Sequence, residues 1–88
     1  AQSLWIDVRT AEEYRAGHLE GAVHIPFDEI EQKITTISAD KTQDIQLYCR
    51  SGRRSGIALE TLRRMGYNNV TNAGAYEQLK QKQVQSNE

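Results

Sequence analysis

Short apolar runs alternate with amphipathic segments along most of the chain. The apolar runs predict four strands, over residues 4–8, 22–25, 45–48 and 69–72. Gly74 is expected to form a turn after the last strand. Strands that alternate with helices are typical of βαβ units. The pattern therefore predicts an α/β fold, a single domain with a small parallel β-sheet flanked by helices on both faces.

Two helices are predicted in the first half of the chain. Thr10 and Glu13 have the spacing of a capping box, which predicts a helix over residues 11–16 that Gly17 closes. In the next segment, apolar residues recur at spacings of three and four, as on the buried face of an amphipathic helix. These residues are Phe27, Ile30, Ile34 and Ile37.

Two more helices are predicted in the second half. Ser55 is a suitable N-cap for a helix that ends at Gly66, and its inward face would consist of Ala58, Leu62 and Met65. The last helix is predicted over residues 76–82. The domain is expected to occupy residues 1–80, with a polar tail over residues 81–88.

The composition excludes several classes of protein. Eighty-eight residues suffice for one small domain, and no stretch approaches the roughly 20 apolar residues that span a bilayer. A single cysteine can form neither an internal disulfide nor a zinc site of paired cysteines. The chain is therefore expected to fold by packing alone. No metal, no cofactor and no membrane partner are expected, and the protein is expected to be a monomer.

The positive charge is concentrated in one segment. The whole chain has a net charge of −1, but residues 50–64 contain five arginines and one glutamate, a net charge of +4, which leaves −5 elsewhere. The acidic remainder would repel a phosphate backbone, so no nucleic-acid partner is expected. A small anion is the better candidate ligand.

The basic segment directly follows the only cysteine, Cys49, at the end of a predicted strand, where parallel sheets bind ligands. Gly52 can adopt a positive φ angle, so that the loop curls and its N–H groups point inward. Arg53 and Arg54 are suited to paired hydrogen bonds with oxyanions. These surroundings favour a nucleophilic thiolate. The alternative from residue type alone is an inert core cysteine.

Three blocks of the sequence resemble rhodanese-type sulfurtransferases, over residues 5 to about 79. The run Cys49-Arg50-Ser51-Gly52-Arg53-Arg54-Ser55 resembles the family's active-site loop, Cys-x-x-Gly-x-Arg-Ser. The family's first signature is matched by Asp7-Val8-Arg9, Glu13-Tyr14, Gly17-His18-Leu19, Gly21-Ala22 and Ile25-Pro26. Its closing segment is matched by Gly66-Tyr67, Val70 and Asn72-Ala73-Gly74, with a departure at Ala75, where the family often has a second glycine.

The resemblance implies a thiosulfate sulfurtransferase that works in two steps. Cys49 would take the outer sulfur of thiosulfate as a persulfide, and cyanide or a thiol would then remove it. The implied substrate-binding residues are Arg50, Ser51, Gly52, Arg53, Arg54 and Ser55. Because the chain has no second cysteine, the acceptor must come from outside. The most similar family members are periplasmic single-domain proteins, which implies a periplasmic location, with the cytoplasm as the alternative.

Two other functions stay open. A sulfur-carrier module, which delivers persulfide sulfur to a partner protein, would use the same cysteine. An arsenate reductase or phosphatase is disfavoured, because cysteine phosphatases place an arginine after five intervening residues, where this chain has Ser55. His18 and His24 lack the spacing of a metal pair on a helix, and Asp7 and Arg9 are interpreted as an ion pair that fixes the first loop.

Overall fold

The computed structural model describes residues 3–86. Within them lie four strands: β1 (Leu4–Asp7), β2 (Val23–His24), β3 (Ile45–Cys49) and β4 (Val70–Ala75). All pairings are parallel, and the strands lie in the order β2-β1-β3-β4. The predicted parallel sheet is therefore confirmed, with β3 as one of its two central strands.

The helices follow the predicted order with one subdivision. They are α1 (Ala11–Ala16), α2 (Ile30–Ile37), α3 (Arg53–Arg64) and α4 (Tyr76–Ser86). A short 3-10 helix, Phe27–Glu29, precedes α2, so the predicted helix starts with a tighter turn after Pro26. The capping box of α1 is confirmed, because Thr10 and Glu13 exchange hydrogen bonds.

The prediction that Ser55 caps α3 is wrong. The N-cap is Gly52, whose φ of 91° is left-handed and turns the chain directly from the loop into the helix. The helix therefore begins at Arg53, and Ser55 lies in its first turn with a buried side chain. At this position the Ser55 hydroxyl lies near the sulfur of Cys49 and does not cap the helix.

The predicted end of β4 is also wrong. The strand continues through Gly74 to Ala75, and Gly74 is not a turn between strand and helix. A register shift lies opposite Leu47 and Tyr48, which pair with Asn72 and Gly74, so Ala73 is the extra residue of a β-bulge. The bulge bends the edge strand beside the end of β3.

Helix α4 is longer than predicted, since it begins at Tyr76 but extends to Ser86. The boundary between domain and tail after residue 80 stays a prediction, and residues 87 and 88 of that tail lie outside the described residues. Between residues 3 and 86, no helix is long and apolar enough to cross a membrane.

Both faces of the sheet are covered, as predicted. One face carries the larger core, in which strand residues pack against α2 and α3; its buried members include Ile6, Val8, Ile30, Ile34, Leu47, Cys49, Ala58 and Leu62. The other face carries a smaller cluster of Leu19, Ala22 and Tyr48, with Trp5, Tyr76 and Leu79 against it. Alternate residues of β3 thus enter different cores, and Cys49 enters the larger one.

Candidate active site

Cys49 is the last residue of β3, and the loop that follows folds back over its sulfur. The backbone N–H of Gly52 donates to Cys49 Sγ at 2.9 Å, and Ser55 Oγ lies 3.6 Å from the same sulfur. The residue is fully buried.

These contacts change the acidity of the thiol. Burial raises the pKa of Cys49, but hydrogen bonds from the loop oppose it, and the pKa ends below its usual value. The donors are the backbone N–H and the hydroxyl of Ser55 and the backbone N–H groups of Ser51 and Gly52. Each of them favours the thiolate, which is the nucleophilic form of cysteine.

The Ser55 hydroxyl belongs to a wider network. It lies 2.6 Å from Asn72 Oδ1 and 3.1 Å from the carbonyl oxygen of Gly52. Asn72 Nδ2 donates to that same carbonyl at 3.0 Å. The bulged strand β4 therefore contacts the cysteine loop through one side chain.

Arg54 does not point freely into the loop. Its guanidinium forms a paired contact with Glu13 of α1, with Arg54 Nη1 to Glu13 Oε1 at 2.9 Å and Nη2 to Oε2 at 3.2 Å. The hydrogen bond to Arg54 is the largest cause that lowers the pKa of Glu13, to about 2. Arg54 thus connects α3 to α1 through a residue that lies 41 positions away in the sequence.

Arg50 and Arg53, in contrast, are exposed at the mouth of the loop. Arg50 also lines a surface pocket of about 490 Å³, together with Arg9, Tyr76 and Lys80. Glu13 and Glu77 line the same pocket, so its charge is mixed.

The predicted ion pair of Asp7 and Arg9 is confirmed at the carboxyl end of the neighbouring strand β1. Arg9 Nη2 lies 2.6 Å from Asp7 Oδ2, and both side chains are buried. Tyr48 donates its hydroxyl to Asp7 Oδ2 at 3.1 Å and accepts the backbone N–H of Leu19 at 3.0 Å. This network fixes the first loop beside the cysteine loop.

The two histidines are engaged structurally. His18 Nδ1 lies 2.8 Å from the carbonyl oxygen of Tyr14, and His24 Nε2 lies 2.8 Å from that of Arg9. Both rings stack on the ring of Tyr14. Among residues 3–86, no group of three or more histidine, cysteine, aspartate or glutamate side chains is placed to hold a metal ion.

The structure matches the motif pattern in the sequence. A strand ends at the cysteine, N–H donors of the next loop point at its sulfur, and a helix follows the left-handed glycine. A family model, described as the rhodanese-like domain, matches residues 1–82. The chain belongs to the rhodanese family. The resemblance inferred from its motifs is thereby confirmed.

Known rhodaneses agree with this domain in sequence and in structure. Thiosulfate sulfurtransferase PspE of Escherichia coli is 43% identical over 79 residues, which are 90% of this chain and 76% of that protein. The solved structure described as rhodanese with anions from E. coli has a TM-score of 0.83 and 43% identity, and the match covers 86% of this chain and 89% of that one.

A more distant rhodanese has the same fold. The human single-domain sulfurtransferase TSTD1 has a TM-score of 0.80 at 29% identity, and the match covers 91% of this chain and 82% of that one. The fold therefore persists where the sequence has diverged.

The predicted loop residues fall into two groups in this rhodanese domain. Ser51, Gly52 and Ser55 direct hydrogen bonds at Cys49, whereas the arginines do not: Arg54 pairs with Glu13, and Arg50 and Arg53 are exposed. The sequence pattern predicts no role at the site for Asn72 and only helix capping for Glu13. The one available signal was that both lie inside blocks that resemble the family.

Proposed function

We propose that this rhodanese domain is a thiosulfate sulfurtransferase and that Cys49 is its nucleophile. The observation that carries the proposal is the sulfur of Cys49 under the N–H groups of its loop, with a pKa below the usual value. The relatives named above as sulfurtransferases support the same reaction class. The donor would be a small sulfur-containing anion.

The first step transfers one sulfur atom to the protein. The thiolate of Cys49 attacks the outer sulfur of thiosulfate, and a new S–S bond forms. The S–S bond of thiosulfate breaks, and its electron pair leaves with sulfite. Cys49 then carries an anionic persulfide, which the same N–H donors stabilise in the manner of an oxyanion hole.

The second step returns the cysteine to its starting state. A cyanide ion or an external thiolate attacks the outer persulfide sulfur, and the electron pair of the persulfide S–S bond returns to Cys49 Sγ. The product is thiocyanate or the persulfide of the acceptor. Cys49 is the only cysteine of the chain, so the domain cannot resolve its own persulfide as an internal disulfide.

The loop residues would divide the binding of the donor between them. Ser51, Gly52 and Ser55 would hold the sulfur that is transferred, because their N–H or O–H groups reach Cys49 Sγ. Arg50 and Arg53 are exposed and would bind the oxygen atoms of the sulfonate end. Arg54 would contribute charge while it stays paired with Glu13.

We further infer a monomer in the periplasm, on the basis of the sequence resemblance to periplasmic single-domain rhodaneses. Sedimentation of the purified chain tests the first point, and fractionation of cells that carry the natural gene tests the second.

Steady-state turnover tests the enzymatic function. With thiosulfate and cyanide, the protein is expected to form thiocyanate, and Cys49→Ser is expected to form none. A persulfide on Cys49 without turnover would instead support the sulfur-carrier alternative. Hydrolysis of an aryl phosphate, with no thiocyanate formed, would overturn the proposal in favour of phosphatase chemistry.

A further inference from the structure

Asn72 lies outside the cysteine loop but contacts it at two points. Its Nδ2 atom donates to the carbonyl oxygen of Gly52 at 3.0 Å, and its Oδ1 atom lies 2.6 Å from Ser55 Oγ, which donates to it. The backbone N–H of Gly74 also donates to Oδ1, at 3.1 Å. Both ends of one amide therefore hold the loop and the strand in a single arrangement.

The bulge in β4 explains why a strand residue can do this. Asn72 pairs with Leu47, but the next pairing joins Tyr48 to Gly74, so the extra residue falls immediately after Asn72. Bulges re-aim side chains near active sites. The hydrogen bond from the Gly74 N–H back to Asn72 Oδ1 closes the bulge and fixes the direction of the amide.

The two residues that Asn72 holds, Gly52 and Ser55, are among the three that donate hydrogen bonds to the sulfur. Gly52 donates its N–H to Cys49 Sγ, and Ser55 supplies a backbone N–H while its hydroxyl lies 3.6 Å from the same sulfur. We propose that Asn72 is a positioning residue for Cys49, which holds Gly52 and Ser55 in the orientation that stabilises the thiolate. The proposal deepens the proposed function, and its link to sulfur transfer rests on that function.

The Ser55 hydroxyl has one proton and three acceptors within reach. Ser55 Oγ lies 2.6 Å from Asn72 Oδ1, 3.1 Å from the Gly52 carbonyl and 3.6 Å from Cys49 Sγ. Without the amide, the Gly52 peptide loses the donor that holds its carbonyl, and its N–H, 2.9 Å from Cys49 Sγ, can turn away from the sulfur. The loss of that N–H raises the titration midpoint, and the freed Ser55 proton, which the Gly52 carbonyl also accepts, offsets this loss only in part.

The test is the thiolate absorbance of Cys49 in the ultraviolet as a function of pH, with the spectrum of Cys49→Ser subtracted. Asn72→Ala is expected to move the titration midpoint upward by about half to one pH unit, as expected for the loss of about one hydrogen bond to the thiolate. At a pH below both midpoints, persulfide formation from thiosulfate should slow by about three- to tenfold for the same reason.

Two further variants make the result decisive. Asn69→Ala is the control, because that amide reaches only the carbonyl of Thr42 among the contacts described, at 3.5 Å and before the start of β4. Asn72→Val removes the amide but keeps a side chain that favours strands. If the alanine variant does not fold, the titration midpoint of Cys49 is measured in the valine variant instead.

A midpoint in Asn72→Ala or Asn72→Val that matches that of Asn69→Ala overturns the role of Asn72. If the wild-type protein forms no persulfide, the proposed sulfur transfer fails, whereas the titration still decides whether Asn72 tunes the thiol. The two failures are therefore distinguishable.

Discussion

The hydrogen bonds that lower the pKa of Cys49 come from its own loop and the first turn of α3. Burial alone would raise the pKa of Cys49, and the hydrogen bonds that lower it come from Ser51, Gly52 and Ser55. The motif suggested Arg54 as an anion ligand, but the guanidinium of Arg54 forms an ion pair with Glu13. Changes in loop conformation should therefore affect the reaction more strongly than the removal of a single positive charge.

Gly52→Ala tests this dependence on conformation. The residue has a φ of 91°, and an added Cβ would lie 3.8 Å from Gly74 Cα, so space is adequate but the backbone angle is strained. The strain should cost about 1–2 kcal/mol of stability. Relief of that strain would turn the N–H away from Cys49 Sγ, so persulfide formation, measured by rapid quench, should fall by about tenfold or more.

Gly21→Ala is the matched control for that substitution. Gly21 has a φ of 84° with no heavy atom within 4 Å of the added Cβ, and it lies outside the cysteine loop. It should lose similar stability but keep its rate of persulfide formation. Equal losses of rate in the two variants would contradict the assignment of Gly52 to the thiolate.

At the scale of elements, one ion pair connects α1 to the helix that follows the cysteine loop. Glu13 closes the capping box of α1 and also pairs with Arg54 of α3. Both side chains are 27% exposed, so water screens the pair only in part. The ion pair therefore fixes the start of α3, from which Ser55 reaches the sulfur.

Glu13→Gln tests this connection without removal of the cap, because glutamine also serves in a capping box. Hydrogen bonds from Arg54, the largest cause, and from Thr10 lower the pKa of Glu13 from 4.5 to about 2, against the opposing effect of burial. The stabilisation by the ion pair is therefore complete above the pKa of Glu13 in the unfolded chain. It disappears as the pH falls toward the pKa of Glu13 in the folded protein. Urea denaturation at neutral pH should show a loss of about 1–2 kcal/mol, which shrinks below about pH 4.5.

The surface pair of Glu29 and Lys33 is the control. These side chains are 40% and 55% exposed, so Glu29→Gln should cost less than about 0.5 kcal/mol. The ion pair between α1 and α3 is not stabilising if Glu13→Gln lowers the free energy of unfolding no more than Glu29→Gln does. The same conclusion follows if the loss in Glu13→Gln does not become smaller as the pH falls.

Local signals in the sequence were enough for much of this arrangement. The capping box, the left-handed Gly52 and the position of Cys49 after a buried strand depend on near neighbours, and all three were predictable. The partners of Ser55 and Arg54 were not, because Asn72 and Glu13 lie 17 and 41 residues away. Only the folded sheet, with its bulge, brings those groups together.

At the scale of the molecule, the site rests on the centre of a sheet that is buried on both faces. Leu47 lies two residues before Cys49, is fully buried, and pairs with Ile6 on one side and Asn72 on the other. No disulfide is possible with one cysteine. Packing around β3 is therefore what keeps the cysteine loop and the bulge in register.

Leu47→Ala should expose this dependence. The cavity should cost about 2–5 kcal/mol, a large part of the total stability of roughly 4–13 kcal/mol that is usual for this length. Ile57→Ala, at a side chain that is 45% exposed, should cost no more than about 1 kcal/mol. Denaturation midpoints measure both, and equal costs would contradict the central role of β3.

The central claim is that Cys49 carries the transferred sulfur, and intact mass after incubation with thiosulfate tests it most directly. The protein should gain the mass of one sulfur atom, and cyanide should then remove that gain. Cys49→Ser should show no gain. An unchanged mass in the wild-type protein, or the same gain in Cys49→Ser, would contradict the account.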